Sequence, residues 1–290
     1  MKNKRKINST GVGLGLHARR ILAYVVLIIV SFFCLFWFYV LLVNATRSNS
    51  NLQSGFSVLP SSNLLSNWKH LLEKSGLPVI QGMLNSLIIS TCSAVVCVYF
   101  STMTAYAIHV YDFKLKKFIY PFILAVMMIP TQVTALGFVN LVSDMNLEDS
   151  FIPLIIPQIA VPITFFYMKQ YMESSLPLSL VEAARIDGSG EFRTFNHIVL
   201  PLMKPAIAVQ AIFTFVSSWN NYFIPALILH DDSKKTLPIL IAQLRAADWL
   251  KFDMGQVYVM IAFSIFPVIV VYLILSKHIV QGVALGSVKG

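Results

Sequence analysis

The segment 174–201, SSLPLSLVEAARIDGSGEFRTFNHIVLP, combines small, charged and turn-forming residues at spacings that suit contact with another protein. Pro177 favours the first turn of a helix, and Ser174 or Ser175 can cap its start. Gly188 can end that helix, because glycine readily adopts the left-handed backbone conformation. The segment therefore predicts a helix followed by a sharp turn.

A second short helix is predicted from Ser189, as its N-cap, to about His197. On the first helix, Ala183 and Ala184 leave a surface shallow enough for a close-fitting partner. Polar side chains lie around that surface: Glu182, Arg185, Asp187 and Arg193. Small residues bordered by charges favour a docking surface.

A second polar pattern consists of amides and hydroxyls that recur on one face of an otherwise apolar helix: Gln210, Thr214, Ser217, Ser218 and Asn221. Their spacing places four of them within about 40° of one another around a helix. Such groups can exchange hydrogen bonds with a polyol that has lost its water. The alternative is that they hold helices of two subunits together. Trp219 points to the opposite side and is predicted to pack or to contact lipid.

Residues for catalysis or metal binding are scattered along the chain. There is no HExxH motif among the six histidines, and no pair of carboxylates falls within an apolar stretch. The three cysteines all lie in apolar stretches, where a thiol behaves as a small hydrophobe. We therefore predict no catalytic residue and no metal site, which argues against a membrane enzyme.

The composition indicates that these segments belong to a membrane protein, since 57% of the 290 residues are hydrophobic and only 12% are charged. A bilayer crossing needs about 20 apolar residues. Six stretches are long enough: 21–43, 81–108, 118–142, 151–172, 205–229 and 254–280. We predict an all-α integral membrane unit of six transmembrane helices, kinked where prolines lie within or beside the spans.

The distribution of charge sets the expected orientation. Fifteen of the 22 lysines and arginines fall on one side if the N-terminus is cytoplasmic, as the positive-inside rule requires. Both termini are then cytoplasmic in a multi-pass protein of the cell membrane. The predicted regions are a basic cytoplasmic tail 1–20, a first anchor 21–43, an extracytoplasmic segment 44–80, a core 81–280 and a cytoplasmic tail 281–290.

Within the core, we expect an inner loop at 173–201 and an outer segment at 230–253. Residues 236–250 are apolar enough to lie on the outer membrane surface or against a partner. The span interiors carry no ionisable side chain. A secondary transporter would be expected to carry such groups or an inverted repeat, so this class is disfavoured.

The inner loop resembles a known motif. Glu182-Ala183-Ala184, Gly188, Ile198 and Leu200-Pro201 match the EAA motif of ABC importer permeases at every fixed position. Four runs, AARIDGSGEFRTFNHIVLPL, FTFVSSWNNYF, TLPILIAQL and QGVALGSVKG, are similar to the carbohydrate-importing branch of that family. The resemblance covers about 80–290 and is strongest to the maltose-type subunit with a C-terminal glycine-valine-lysine-glycine tail.

This resemblance implies a type I ABC importer permease fold with a cytoplasmic coupling helix. It also implies a second permease subunit, two copies of a cytoplasmic ABC ATPase and an extracellular solute-binding protein. The chain has no G-x-x-x-x-G-K-[ST] motif for binding ATP. ATP and Mg are therefore expected to bind to the ATPase. The chain itself is expected to have no enzymatic activity and to bind no cofactor. In this family the EAA loop docks on the ATPase, a role carried to the loop residues Glu182, Ala183, Ala184, Arg185, Asp187 and Gly188.

The expected function is ATP-driven import of a sugar or oligosaccharide. Two other cargoes of the same class stay open, a glycerol phosphate and a polyamine. A phosphate would favour arginine near the pathway and a polyamine would favour carboxylates. The predicted spans show neither.

Overall fold

The computed structural model describes residues 9–246 and 253–286, and every regular element in these ranges is helical. The first part of the chain forms α1 (Ser9–Ala45), α2 (Asn49–Gln53), α3 (Leu64–Lys74), α4 (Val79–Val110), α5 (Lys116–Val126), α6 (Thr131–Asp144), α7 (Ile152–Ile155) and α8 (Pro162–Ser175). The second part forms α9 (Leu178–Ile186), α10 (Glu191–Thr194), α11 (Leu200–Leu202), α12 (Lys204–Trp219), α13 (Phe223–Ile228), α14 (Leu237–Arg245) and α15 (Met254–Gly286).

The described residues form two compact units. One comprises those of 1–70 and 253–262, and the other comprises those of 71–252 and 263–286. The predicted tail 281–290 begins inside α15, and its last residues, 287–290, lie outside the described residues. So do the first eight residues of the predicted basic tail.

In the smaller unit, Asn67 fixes the chain after α1. Its side-chain amide donates hydrogen bonds to the carbonyls of Ala45 and Arg47, at 3.0 and 2.8 Å. The Arg47 guanidinium in turn donates to the Gly55 carbonyl at 2.9 Å. Apolar side chains stand exposed along most of α1, as expected for a helix surrounded by lipid.

The larger unit is built around α4, which contacts α7, α8, α12 and α14. Its buried positions are largely small: Ser86, Ser90, Ser93, Ala94, Ser101, Thr102 and Ala105. Small side chains let helix backbones approach closely, which is how helices associate within a membrane. α4 is consequently buried on several sides at once.

Four helices in the described ranges are long and apolar enough to cross a membrane. They are Arg19–Ala45, Val79–Val110, Ile152–Ser175 and Met254–Lys277. The number reaches six if each of two bent helix pairs is one span. Each of the six predicted spans overlaps one of these four helices or a helix of one of the two bent pairs.

The predicted kinks are breaks at identifiable residues. The span predicted at 118–142 divides into α5 and α6, which meet at 97°, and Pro130 precedes the first residue of α6. The 3-10 turn Ile156–Ala160 interrupts the span predicted at 151–172. Proline cannot donate the helical hydrogen bond, so a break beside it costs little further bonding.

Two sequence-based expectations were wrong. The span predicted at 205–229 ends as a helix at Trp219 and resumes only in α13. The described part of 236–250 does not lie free on a membrane surface, because α14 packs against α4 and buries Leu237, Leu240 and Leu244. A Cβ placed on Gly82 of α4 would meet a methyl carbon of Leu240, so the Leu240 side chain would have to shift to admit a larger residue.

Asn85 of α4 holds the segment before α14. Its side chain is 1% exposed and donates to the carbonyls of Ser233 and Lys235, each at 2.9 Å. We expect Asn85→Ala to destabilise this segment by about 1–3 kcal/mol, because two carbonyls lose their donor. The measurement is protease sensitivity of 229–237, with the exposed Asn140 changed to Ala as control. Equal resistance of the two variants would contradict the assignment.

Candidate docking loop and polar cleft

The EAA loop begins with α9 and ends that helix in a Schellman turn. The amide of Ser189 donates to the Ala184 carbonyl at 2.9 Å, and the amide of Gly188 donates to the Arg185 carbonyl at 3.0 Å. Gly188 has a φ of +77°, the left-handed conformation expected from the sequence. This turn reverses the chain between the two arms of the loop.

The predicted N-caps of both arms were wrong. Ser174 and Ser175 belong to the last turn of α8, and Pro177 precedes α9 without a side-chain cap. Gly190, one residue later than Ser189, is the N-cap of α10. The Ser189 hydroxyl is used instead as an acceptor for the Thr194 hydroxyl at 3.0 Å.

The second arm is longer and less regular than predicted. After α10 comes a π-helical turn, Phe195–Val199, and then α11. The whole arm, Glu191–Leu202, meets α12 at 81°. Pro201 and Pro205 lie close to the bend, where each removes a backbone donor.

A hydrophobic cluster holds both arms against the helices beneath them. Val181 of α9 and Phe195 and Val199 of the second arm are buried in it. The helices beneath contribute further buried side chains to the cluster: Met168 and Met172 of α8, and Ala105 and Tyr106 of α4. The rings of Tyr99 and Phe195 also meet edge to face. The loop is thus an integral part of the packed unit.

The outer surface of the loop is apolar at its centre. Ile186 and Phe192 are 86% and 73% exposed, and Glu182 and Ala183 are exposed beside them. Ala184 is 6% exposed, so the predicted shallow surface is formed by Ala183 and not by both alanines. We call these two side chains, Ile186 and Phe192, the exposed patch of the loop, since large apolar side chains that stand open to solvent are often covered by other proteins.

A carboxylate links the two arms to α4. Glu191 accepts a hydrogen bond from the Arg185 guanidinium at 2.7 Å on one oxygen. Its other oxygen accepts from the hydroxyls of Tyr111 at 2.6 Å and Tyr106 at 3.1 Å. The Arg185 guanidinium also lies 5.5 Å from the centre of the Tyr111 ring. Of the two predicted charges nearest the turn, Asp187 is exposed and Arg185 is committed to this cluster.

These contacts keep Glu191 ionised. The hydrogen bond from Arg185, followed by that from Tyr111, lowers the pKa of the Glu191 carboxyl below its usual value. Partial burial and then the bond to Glu191 raise the pKa of Tyr111. The tyrosine therefore stays a donor and the carboxylate stays an acceptor over the physiological range.

The polar residues predicted on the fifth span lie along two neighbouring cavities. A cleft of about 530 Å³ lies between the start of α8 and α12 and is lined by Gln210, Thr214 and Ser217 among others. A chamber of about 50 Å³ contains Ser218 and Asn221 together with Ser217. The spacing of the polar residues predicted that Asn221 lies on the same helix as Gln210. It lies outside that helix, because α12 ends at Trp219.

Thr214 makes a contact inside the chain, which neither alternative for this polar face describes. The Thr214 hydroxyl donates to the Cys97 sulfur of α4 at 3.6 Å, so this side chain joins two helices of the same chain. Ser217 is exposed to both cavities. Trp219 is 3% exposed and stacks on Phe215 with ring centres 5.7 Å apart, which confirms that it packs.

Gln158 was missed by the sequence analysis, although it lines both cavities with Ser217. Thr236, also missed, lines the chamber with a buried hydroxyl that has no hydrogen-bond partner among the described residues. No charged side chain lines either cavity in the part of the chain that the structure describes. Within the same ranges, no group of three or more His, Cys, Asp or Glu residues is placed to hold a metal ion.

A broken-helix bundle with an EAA turn at one end and polar cavities within defines a membrane permease of the type I ABC importer fold. The chain belongs to the family described as binding-protein-dependent transport system inner membrane component, whose model matches residues 98–285. Membership in this family makes it a multi-pass membrane protein.

Three known proteins illustrate the relationship. The arabinooligosaccharides transport system permease protein AraQ of Bacillus subtilis (strain 168) is 36% identical over 209 residues, 71% of this chain and 72% of that protein. The sn-glycerol-3-phosphate transport system permease protein UgpE of Yersinia pestis bv. Antiqua (strain Antiqua) is 30% identical over 267 residues, 90% and 95% of the two chains. A crystal structure of a bacterial ABC transporter involved in the import of the acidic polysaccharide alginate matches with a TM-score of 0.76 and 22% identity, covering 95% of this chain and 99% of that one.

The turn of the loop gives a matched pair of glycine substitutions. Gly188→Ser should destabilise the turn by about 1–2 kcal/mol, because a side chain disfavours positive φ. Gly190→Ser should be neutral or stabilising, since Gly190 has a φ of −68° and serine is a preferred N-cap. Hydrogen exchange of the 184–194 amides in the purified chain measures both. Equal protection in the two variants would show that the turn does not depend on Gly188.

Proposed function

We propose that this chain is one of two permease subunits of an ATP-driven importer that carries a sugar or oligosaccharide. An extracellular solute-binding protein delivers the cargo, and two copies of a cytoplasmic ABC ATPase bind ATP and Mg and drive alternating access. The chain supplies the membrane pathway and the docking loop. It lies in the cell membrane with both termini and the EAA loop in the cytoplasm, an orientation supported by its positive-inside charge bias.

The observation that carries the ATPase partnership is the exposed patch on the EAA loop. Ile186 and Phe192 project from a turn that is fixed by a Schellman motif and a buried cluster. Covering one such side chain is worth about 1.5–3 kcal/mol. The exposed Glu182 and Ala183, at motif positions of the family, border the patch and complete a surface suited to a cleft on the ATPase.

The sugar assignment is supported by the chemistry of the two cavities. Their polar groups are amides and hydroxyls, which hydrogen-bond to neutral polyols as donors and as acceptors. Gln158, Ser217 and Asn221 have this character, and no charged side chain lines the cavities in the described ranges. The name of the AraQ relative, a permease for arabinooligosaccharides, supports the same class.

A glycerol phosphate is the second candidate, because the UgpE relative is named for that cargo. A phosphate would be held by arginine or lysine, and such a side chain is missing from the described walls of both cavities. A polyamine would need carboxylates there, which are equally missing. The cavity chemistry therefore favours the neutral sugar.

Docking is tested by placing a charge in the exposed patch. Ile186→Asp and Phe192→Asp should each weaken retention of the ATPase at least about tenfold, because each removes an apolar contact and buries a carboxylate. The measurement is the amount of ATPase that co-purifies with the tagged chain from its native membrane. Leu115→Asp, at an exposed site outside the loop, is the control. ATPase retention in both loop variants would contradict the docking assignment.

The pathway is tested at two neighbouring asparagines. Asn221→Leu should lower sugar uptake several-fold and change the preference between arabinotriose and maltotriose, because Asn221 lines the polar chamber. Asn220→Leu, at an exposed position that lines neither of the two cavities, should leave the uptake rate and the sugar preference unchanged. The assay is uptake by the purified complex in liposomes, with sn-glycerol-3-phosphate as a third cargo. A loss of assembly in Asn221→Leu with no change in preference would mean that this residue joins subunits instead.

A further inference from the structure

The cluster around Glu191 joins three parts of the larger unit at one carboxylate. Arg185 comes from α9, Glu191 begins α10, Tyr106 lies in the last turns of α4 and Tyr111 is the C-cap of α4. The carboxylate receives one donor on its first oxygen and two on its second. Both arms of the loop are thus fastened to the same helix.

The tyrosine contacts matter more for this connection than the ion pair. The side chains of Arg185 and Glu191 are 38% and 45% exposed, and an ion pair so accessible to water contributes little. It also connects only the two arms of the loop to each other. The tyrosine hydroxyls donate to a charged acceptor, which makes stronger hydrogen bonds than a neutral one. They reach from the loop to α4, where the only other hydrogen bond given by an α4 hydroxyl to the described part of the loop, from Tyr99 to the Asn196 side chain at 3.3 Å, has a neutral acceptor.

The other end of α4 bears on the polar chamber. Ser86 and Ile89 form part of the chamber wall. The hydroxyl of Ser86 also accepts the amide of Leu237 at 2.8 Å, and Asn85 holds the segment that contains the chamber residue Thr236. A helix of this length spans about 48 Å at 1.5 Å per residue. One rigid element therefore connects the EAA loop with the cavity at the far end.

We propose that Glu191, through Tyr106 and Tyr111, is the joint that passes movement of the EAA loop to α4 and from there to the polar chamber. The inference rests on the proposed function, in which the ATPase moves the loop. Glu191 is a positioning residue here, since it touches neither the cargo nor the nucleotide. The ordinary alternative is that the cluster only folds the loop.

The test removes the two hydroxyls and leaves the loop's own ion pair in place. The Tyr106→Phe and Tyr111→Phe double variant is compared with Tyr272→Phe, the same chemical change at an exposed site of α15. Each purified complex is reconstituted in liposomes and assayed for retained ATPase and for arabinotriose transported per ATP hydrolysed. The double variant should keep its ATPase but transport about tenfold less sugar per ATP.

A second measurement follows the movement without a sugar. Ser217→Cys, in a background without Cys34, Cys92 and Cys97, reports access to the cleft through its reaction with a thiol reagent. A non-hydrolysable ATP analogue should change that reaction rate with the native tyrosines and not in the double variant. An analogue response that survives in the double variant, or an unchanged ratio of sugar to ATP, would overturn the joint.

Other outcomes are separable. Loss of the ATPase from the double variant would also overturn the proposal, because the cluster would then only build the docking surface. Failure of the proposed function is seen in the native complex, which would take up neither sugar with ATP. In that case the response of Ser217→Cys to the ATP analogue still decides whether the joint exists. Arg185→Gln should reduce the sugar-to-ATP ratio less than the double variant does.

Discussion

Close approach of helices to α4 is the constraint on which the larger unit depends. Ser90, Ser93 and Thr102 are fully buried along this helix, and larger side chains at these positions would push the packed neighbours of α4 away. Packing within a membrane gains little from expelling water, so close van der Waals contact must supply the stability. The loop at one end and the chamber at the other keep their positions because α4 lies at the centre of the packing.

The length and hydropathy of the apolar stretches predicted the long helices well. The positions of the prolines predicted that some of these helices are broken. It predicted the wrong place for α14, because an apolar segment of that length suits a membrane surface as well as a protein groove. Only the distant Gly82 shows that a groove exists to receive Leu240. The first N-cap was misplaced because a serine before a helix and a serine in the last turn of the preceding helix look the same in sequence. The second was misplaced by one residue, because Ser189 takes part in the Schellman turn and Gly190 begins the next helix.

The docking loop was largely predictable and the polar cavities only in part. Gly188 could be recognised because a Schellman turn needs a residue that accepts positive φ. Ile186 and Phe192 carry no signal of exposure in their own residue types. The roles of Glu191 and Gln158 arise from residues far away in the chain, since Tyr106 lies 85 positions before Glu191. No local spacing rule detects such a meeting.

The hydrophobic cluster under the EAA loop has a consequence for engineering. Val181, Phe195 and Val199 interdigitate with side chains of α4 and α8, so the loop has no separate core of its own. A loop transplanted from another permease would bring different buried side chains, which would not fit the unchanged surfaces of α4 and α8. Chimeras intended to redirect a permease to a foreign ATPase would therefore need to exchange the exposed residues alone, or the loop together with the facing halves of both helices.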